Sequence, residues 1–279
     1  MIRYGRYGYS YQGPGSRLLH VIGWVVILFM AVSYFSRKSL NLTTGNRQRA
    51  AMTAAEEMSL GLQLAPQMIA RLGGELPASD PRSREVRNVG QRIISRSLAQ
   101  HSPYHYEFHL LSDQQTINAF ALPGGQILLT LGLYEKLADE AELAAVLGHE
   151  TGHVVQRHVA QQIEQSRLGQ SIVSSGNGNG LATWALTDLA EQVMQLKFTR
   201  RDELQADERG LEFMAEAGYD PRAMIDVMTI LKEASAVGGE PEFLQTHPDP
   251  GNRIEAIETW VKRHPFLAEQ LSRGQALPK

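Results

Sequence analysis

Apolar positions change their rhythm twice along the chain, and each change marks a different kind of segment. The first segment is nearly continuous. Leu18 to Phe35 is apolar over about 18 residues, near the minimum for a helix that crosses a bilayer. The polar arm MIRYGRYGYSYQGPGSR precedes it, and Arg37 and Lys38 follow at once. Ala31-Val32-Ser33 would serve as a cleavage site, but the long arm and the basic stop favour a retained signal anchor. Arg3, Arg6 and Arg17 on one side and Arg37, Lys38, Arg47 and Arg49 on the other leave the orientation open on charge alone. The usual arrangement for a lone N-terminal anchor puts the arm in the cytoplasm and the folded part on the periplasmic, extracytoplasmic side.

From Met52 the spacing becomes helical. Thr53 is a suitable N-cap, Glu56 and Glu57 fill the first turn, and Leu60, Leu64 and Met68 share a face until Gly73-Gly74 and Pro77 end the helix. Arg82 to Leu98 repeats the pattern with Val86, Val89, Ile93 and Ile94. The period then shortens to two over Tyr104 to Leu111. Asn118 to Leu122 and Ile127 to Leu131 flank the turn Pro123-Gly124-Gly125, so a sheet of about three strands is expected. Helical spacing returns at Asp139 and predicts one helix to about Gln165, with Leu143, Val146, Leu147 and Val154 inward. The stretch SSGNGNG, Ser174 to Gly180, reads as a mobile linker, since no Lys-Ser/Thr follows for phosphate binding. A second long helix is predicted from Leu181 to Ala217, another from Asp220-Pro221, and a last one from Asn252 to Lys262.

These segments predict an α+β protein, mostly helical with a small β-sheet, preceded by one transmembrane helix. The expected divisions are a polar arm (1–17), an anchor (18–35), a linker (36–50), a folded domain (51–264) and a C-terminal tail (265–279).

Composition narrows the chemistry. Across 279 residues the net charge is −3, which implies no basic face and speaks against nucleic acid as a partner. There is no cysteine, so disulfide scaffolds, thiolate zinc sites and thiol nucleophiles are excluded. Histidine and carboxylate chemistry remains.

His149-Glu150-Thr151-Gly152-His153 supplies it. Histidines four apart on a helix lie one turn apart on one face, close enough to share a Zn²⁺. Glu150 lies about 100° round the helix, offset from the metal position but placed to act on its water as a general base. The flanks Ala144 to Gly148 and Val154-Val155 bury this helix, and buried His and Glu require partners. A catalytic zinc needs a third protein ligand. His158, nine residues past His149, falls on the opposite side of a continuous helix. Glu203 is the better candidate, with Asp207 one turn on, able to accept the free N–H of a ligating imidazole.

HETGH followed by ELQAD resembles the zinc peptidase family that includes the CAAX prenyl protease and the HtpX-type membrane proteases. Asn118 to Gly125, NAFALPGG, is similar to the strand and turn before that family's metal helix, and His247 to Ile254, HPDPGNRI, to its His-Pro-x-Pro-x-x-Arg segment. The motifs run in family order over about Met52 to Val261. A single anchor brings the chain closest to the BepA-like and OMA-like branch, although no tetratricopeptide pattern follows in this sequence. The resemblance implies a zincin-like metalloendopeptidase domain with one Zn²⁺ held by His149, His153 and Glu203, and with Glu150 as base and acid. Asp207 would support a ligating imidazole, and Arg253 would steady His247 or the substrate carboxylate, or else form a structural salt bridge. Asn118, Gly125 and Ile127 would bind substrate, with an edge strand at Ile127 to Thr130 pairing with the peptide. His247 would either donate to the oxyanion or bind zinc as a fourth, inhibitory ligand. The implied role is quality control of misfolded or unassembled envelope proteins.

Overall fold

The computed structural model describes residues 52–166, 183–239, 241–248, 250–265 and 271–279, together with residue 24 and the stretches 38–40 and 47–49. The anchor expected at Leu18 to Phe35 lies outside the described residues apart from Trp24, as does the linker at Ser174 to Gly180. Among the described residues no helix is long and apolar enough to cross a membrane.

Within the expected linker, β1 (Lys38–Leu40) pairs antiparallel with β2 (Arg47–Arg49). The folded domain then opens with α1 (Ala54–Arg71). Thr53 and Glu56 form a reciprocal capping box there, satisfying donors that a helix start leaves open. Asp80 caps α2 (Pro81–Arg96), which has proline in its first turn, where a missing N–H costs nothing.

Three strands follow: β3 (Glu107–Leu111), β4 (Ala119–Ala121) and β5 (Gln126–Thr130). The order is β3-β5-β4, with β5 parallel to β3 and antiparallel to β4 through the turn Pro123–Gly125. All five residues of β5 are buried, as befits a strand with neighbours on both edges. After the single turn α3 (Leu131–Tyr134) comes α4 (Glu140–Gln156), buried on every side from Ala141 on. A helix apolar all round belongs at the centre of a fold.

The long helix expected from Asp139 to Gln165 is two helices. Arg157 adopts a left-handed conformation (φ 63°) and α5 (His158–Gln165) sets off in a new direction. A non-glycine residue in that region is strained by about 1–2 kcal/mol. Buried bonds offset this: Nε of Arg157 donates to Glu57 at 2.7 Å, a second guanidinium nitrogen pairs with the same carboxylate, and it also donates to the Met52 carbonyl at 2.6 Å. Tyr104 closes the cluster by donating to Glu57 at 2.7 Å.

The helix expected from Leu181 to Ala217 is also divided, into α6 (Thr183–Met194) and α7 (Arg200–Glu216). Thr199 and Asp202 form a second capping box, and the Phe198 N–H is drawn to the Thr246 carbonyl at 2.9 Å. The chain continues through α8 (Ala223–Gly238), α9 (Glu242–Thr246) and α10 (Pro250–Arg263). Residues 271–279 pack back onto the domain. Arg273 pairs with Asp139, Glu142 and Asp226 at 2.8, 3.0 and 2.5 Å, and Leu277 is buried.

The closest helix contact is between α4 and α7. A Cβ on Gly152 would lie 2.6 Å from the Ala206 carbonyl oxygen, so only glycine allows this approach. The fourth residue of the HETGH run thus lets the helix carrying Glu203 reach the two histidines.

Candidate metal centre

Helix α4 brings His149 and His153 to one face, α7 brings Glu203 against them, and the turn after α9 adds His247. One donor atom from each lies within 4.8 Å of all the others. His149 Nε2 is 3.0 Å from His153 Nε2 and 3.3 Å from His247 Nδ1. Glu203 Oε1 is 3.0 Å from His247 Nδ1 and 3.4 Å from His153 Nε2, and Oε2 is 3.7 Å from His149 Nε2. Donors arranged tetrahedrally 2.0–2.1 Å from a zinc ion stand about 3.3 Å apart. The observed spacings straddle that figure.

Protonation states agree with it. Asp207 Oδ1 lies 2.8 Å from His149 Nδ1. Burial alone would raise Asp207, but Arg253 and the His149 hydrogen bond hold it below its ordinary value. As a carboxylate it accepts, so Nδ1 of His149 donates and Nε2 is the nitrogen turned toward the other donors. Burial holds His153 well below its usual value, so it is neutral. Burial pushes Glu203 up, yet its neighbours His247 and Arg253 outweigh this and hold it well below its ordinary value, as a carboxylate. Imidazole nitrogens and a carboxylate oxygen converging at this distance fit a cation.

Glu150 stands apart. It is fully buried, and neither carboxylate oxygen makes a hydrogen bond of ordinary geometry. Burial drives its pKa up to about 7, with Glu203 adding to the rise while His149 and Arg253 oppose it. His247 Nε2 lies 3.8 Å from its Oε1.

Arg253, from α10, lies beneath the ligands. Its Nε and one terminal nitrogen donate to the two oxygens of Asp207 at 2.7 and 2.6 Å, and the other terminal nitrogen forms an ion pair with Glu203 Oε2 at 2.6 Å. It touches the acids on α7 rather than any open surface, being only 2% exposed.

Two placements differ from expectation. His158 is not on the far side of the helix: the break at Arg157 swings it round until its Nδ1 lies 2.9 Å from His153 Nδ1. Ile127 to Thr130 is the central strand of the sheet, so no peptide can add there; the outer strands are β3 and β4. Asn118 and Gly125 hold the sheet itself. The Asn118 N–H donates to Thr130 Oγ1 at 3.0 Å and its side-chain oxygen accepts from Ala119 N at 2.9 Å. Gly125 has φ 111°, and a Cβ there would meet the His105 carbonyl at 2.5 Å. Two aromatic groups were not legible beforehand. Phe198 packs 4.0 Å from His153, ring to ring, and Phe243 stacks on His247 at 4.2 Å. Both lie in short segments without periodicity, and only the tertiary fold brings them in. Phe198, Thr246 and His247 cover a small cavity against β4, and no ligand group is more than 2% exposed, so the centre is closed to solvent.

An enclosed mononuclear His/Glu metal centre on an α+β frame defines a metallohydrolase type of site. The family model described as Peptidase family M48 matches residues 80–261, and the chain belongs to this zinc-dependent family. Among its relatives are the beta-barrel assembly-enhancing protease of Yersinia pestis, 30% identical over 241 residues covering 81% of this chain and 49% of that protein, and its Escherichia coli K12 counterpart, 29% identical over 218 residues covering 72% and 44%. The mitochondrial metalloendopeptidase OMA1 of Schizosaccharomyces pombe is 35% identical over 195 residues, covering 67% of this chain and 55% of that protein. The chain spans about half the length of the curated relatives it matches.

Proposed function

We propose that this chain is a zinc-dependent endopeptidase in which His149, His153 and Glu203 hold the metal and Glu150 moves the proton. The observation that carries this is the juxtaposition of four convergent donors with one buried carboxyl, Glu150, whose oxygens make no hydrogen bond of ordinary geometry. When bound, a zinc ion in this site polarises the scissile carbonyl and lowers the pKa of the attacking water. Glu150 takes the water's proton and returns it to the leaving amine. Asp207 and Arg253 keep His149 and Glu203 oriented. The edge of β4, Ala119 to Ala121, pairs with the extended peptide once Phe198 and its segment move off it. The proposed substrates are unassembled or misfolded envelope proteins, a class in keeping with the relative named beta-barrel assembly-enhancing protease; the apolar run Leu18 to Phe35 is the proposed membrane anchor, with the catalytic domain extracytoplasmic.

The test incubates the chain with an unfolded and a folded form of one protein, with and without chelator. Cleavage of the unfolded form, stopped by chelation and restored by zinc, is expected. Chelator-resistant cleavage, or none by the zinc-loaded chain, overturns the reading.

His247 is proposed as the fourth donor that holds this closed arrangement at rest, because its Nδ1 lies inside the donor ring rather than beside it. His247→Ala is then expected to raise the cleavage rate several-fold. A fall of about a hundredfold would instead make it an oxyanion donor.

A further inference from the structure

The break at Arg157 turns the first residue of α5 back onto the metal helix. His158 is 4% exposed, and its two ring nitrogens meet different partners. Nδ1 lies 2.9 Å from His153 Nδ1, and Nε2 lies 3.2 Å from the side-chain oxygen of Gln205 on α7, with Asp202 Oδ1 at 3.8 Å. An amide oxygen only accepts. Nε2 of His158 therefore carries its proton and Nδ1 is an acceptor. The one group for it to accept from is the Nδ1–H of His153. With that proton on Nδ1, the lone pair of His153 is left on Nε2, the atom that faces His149 and Glu203.

We propose that His158 is a positioning residue. It selects the tautomer and the ring orientation in which His153 presents Nε2 to the metal, and Gln205 fixes His158 in turn. This rests on the reading of His153 as a ligand. It gives the two ligand histidines unlike supports: a carboxylate behind His149, and a neutral imidazole and amide behind His153. Gln205 is two residues past Glu203, so the relay also ties the second ligand to the helix that supplies the third. Arg157 is part of the device, because without its left-handed turn His158 would point away from His153. A partner behind a ligating imidazole is worth about 10–100-fold in metal affinity.

The test measures zinc affinity by competition with a chromophoric chelator on the 279-residue chain, at a temperature where circular dichroism shows each metal-free variant folded. His158→Leu fills similar space but cannot accept, and is expected to bind zinc about 10–100-fold more weakly. His158→Gln offers an acceptor oxygen and is expected to recover most of the loss. Gln205→Leu, which frees His158 to change tautomer, is expected to fall between them, and it carries the test if His158→Leu does not fold. Parental affinity in both leucine variants overturns the proposal, as does a His158→Gln chain as weak as His158→Leu. A parent chain that takes up no zinc overturns the site reading beneath it, and this control separates the two failures.

Discussion

Glu150→Gln is expected to keep its zinc and lose cleavage by about a thousandfold or more, the upper part of the range for a general acid–base group. The substitution changes one oxygen to an amide nitrogen and alters no donor in the ring, since Glu150 is not among the four convergent groups. Zinc content by elemental analysis therefore stays at one per chain. Nor does the fold weaken. Burial raises the Glu150 pKa to about 7 from an ordinary 4.5, so its ionised form is disfavoured in the folded state. For an acid shifted in this direction, the folded state loses stability as pH rises from the ordinary value through the raised one. A neutral Gln escapes that loss, so above about pH 5 the metal-free variant should melt no lower than the metal-free parent. Activity, zinc content and melting temperature together leave one interpretation of a dead enzyme. Cleavage within tenfold of the parent would show that another group moves the proton.

The residues that carry this chemistry were legible because they lie on one helix at a fixed interval. Four residues of helix always place His149 and His153 together, whatever surrounds them. Glu203 and Asp207 were legible more weakly, because the same helical interval made sense of both once a carboxylate was needed. His158 shows the limit of such extrapolation. Its expected position assumed that α4 continued, and nothing local to Arg157 stops it: no glycine, proline or asparagine marks the turn. The turn is held by Glu57, a hundred residues away, through a buried ion pair that sequence spacing does not reveal. The strand order failed to show for a related reason. The run of apolar residues in Ile127 to Leu131 announced a buried strand, but whether it lay at the centre or at the edge depended on Glu107 to Leu111 joining it in parallel. That correction moves the proposed substrate edge to β4, an outer strand that lines a small cavity with His247.

Removing the guanidinium beneath the site is expected to cost more stability than any other single change at the centre. Arg253 is the largest fully buried side chain among the described residues, and Asp207 and Glu203 face it at 2.6–2.7 Å. Those two acids raise its pKa further, and its charge in turn helps hold both of them ionised. Arg253→Met keeps much of the volume but leaves two buried carboxylates without their cation. Breaking a buried pair from one side costs about 3–5 kcal/mol. For a domain of this size each kcal/mol lowers the melting temperature by about 2–4 °C, so a fall of about 10 °C is expected in the metal-free chain. Arg253→Lys restores the charge but not the planar fork that spans Asp207 and Glu203, and should recover only part of the loss. Zinc would return some stability to the Met variant, because its two charges replace the missing one beside Glu203; the melting-temperature rise on adding zinc should therefore be larger in Arg253→Met than in the parent. An unchanged melting temperature in Arg253→Met would mean that the ion cluster only matches what apolar packing supplies. A smaller zinc-induced rise would mean that Arg253 acts mainly by orienting Asp207 and His149 for the metal, and that its charge matters less than its reach.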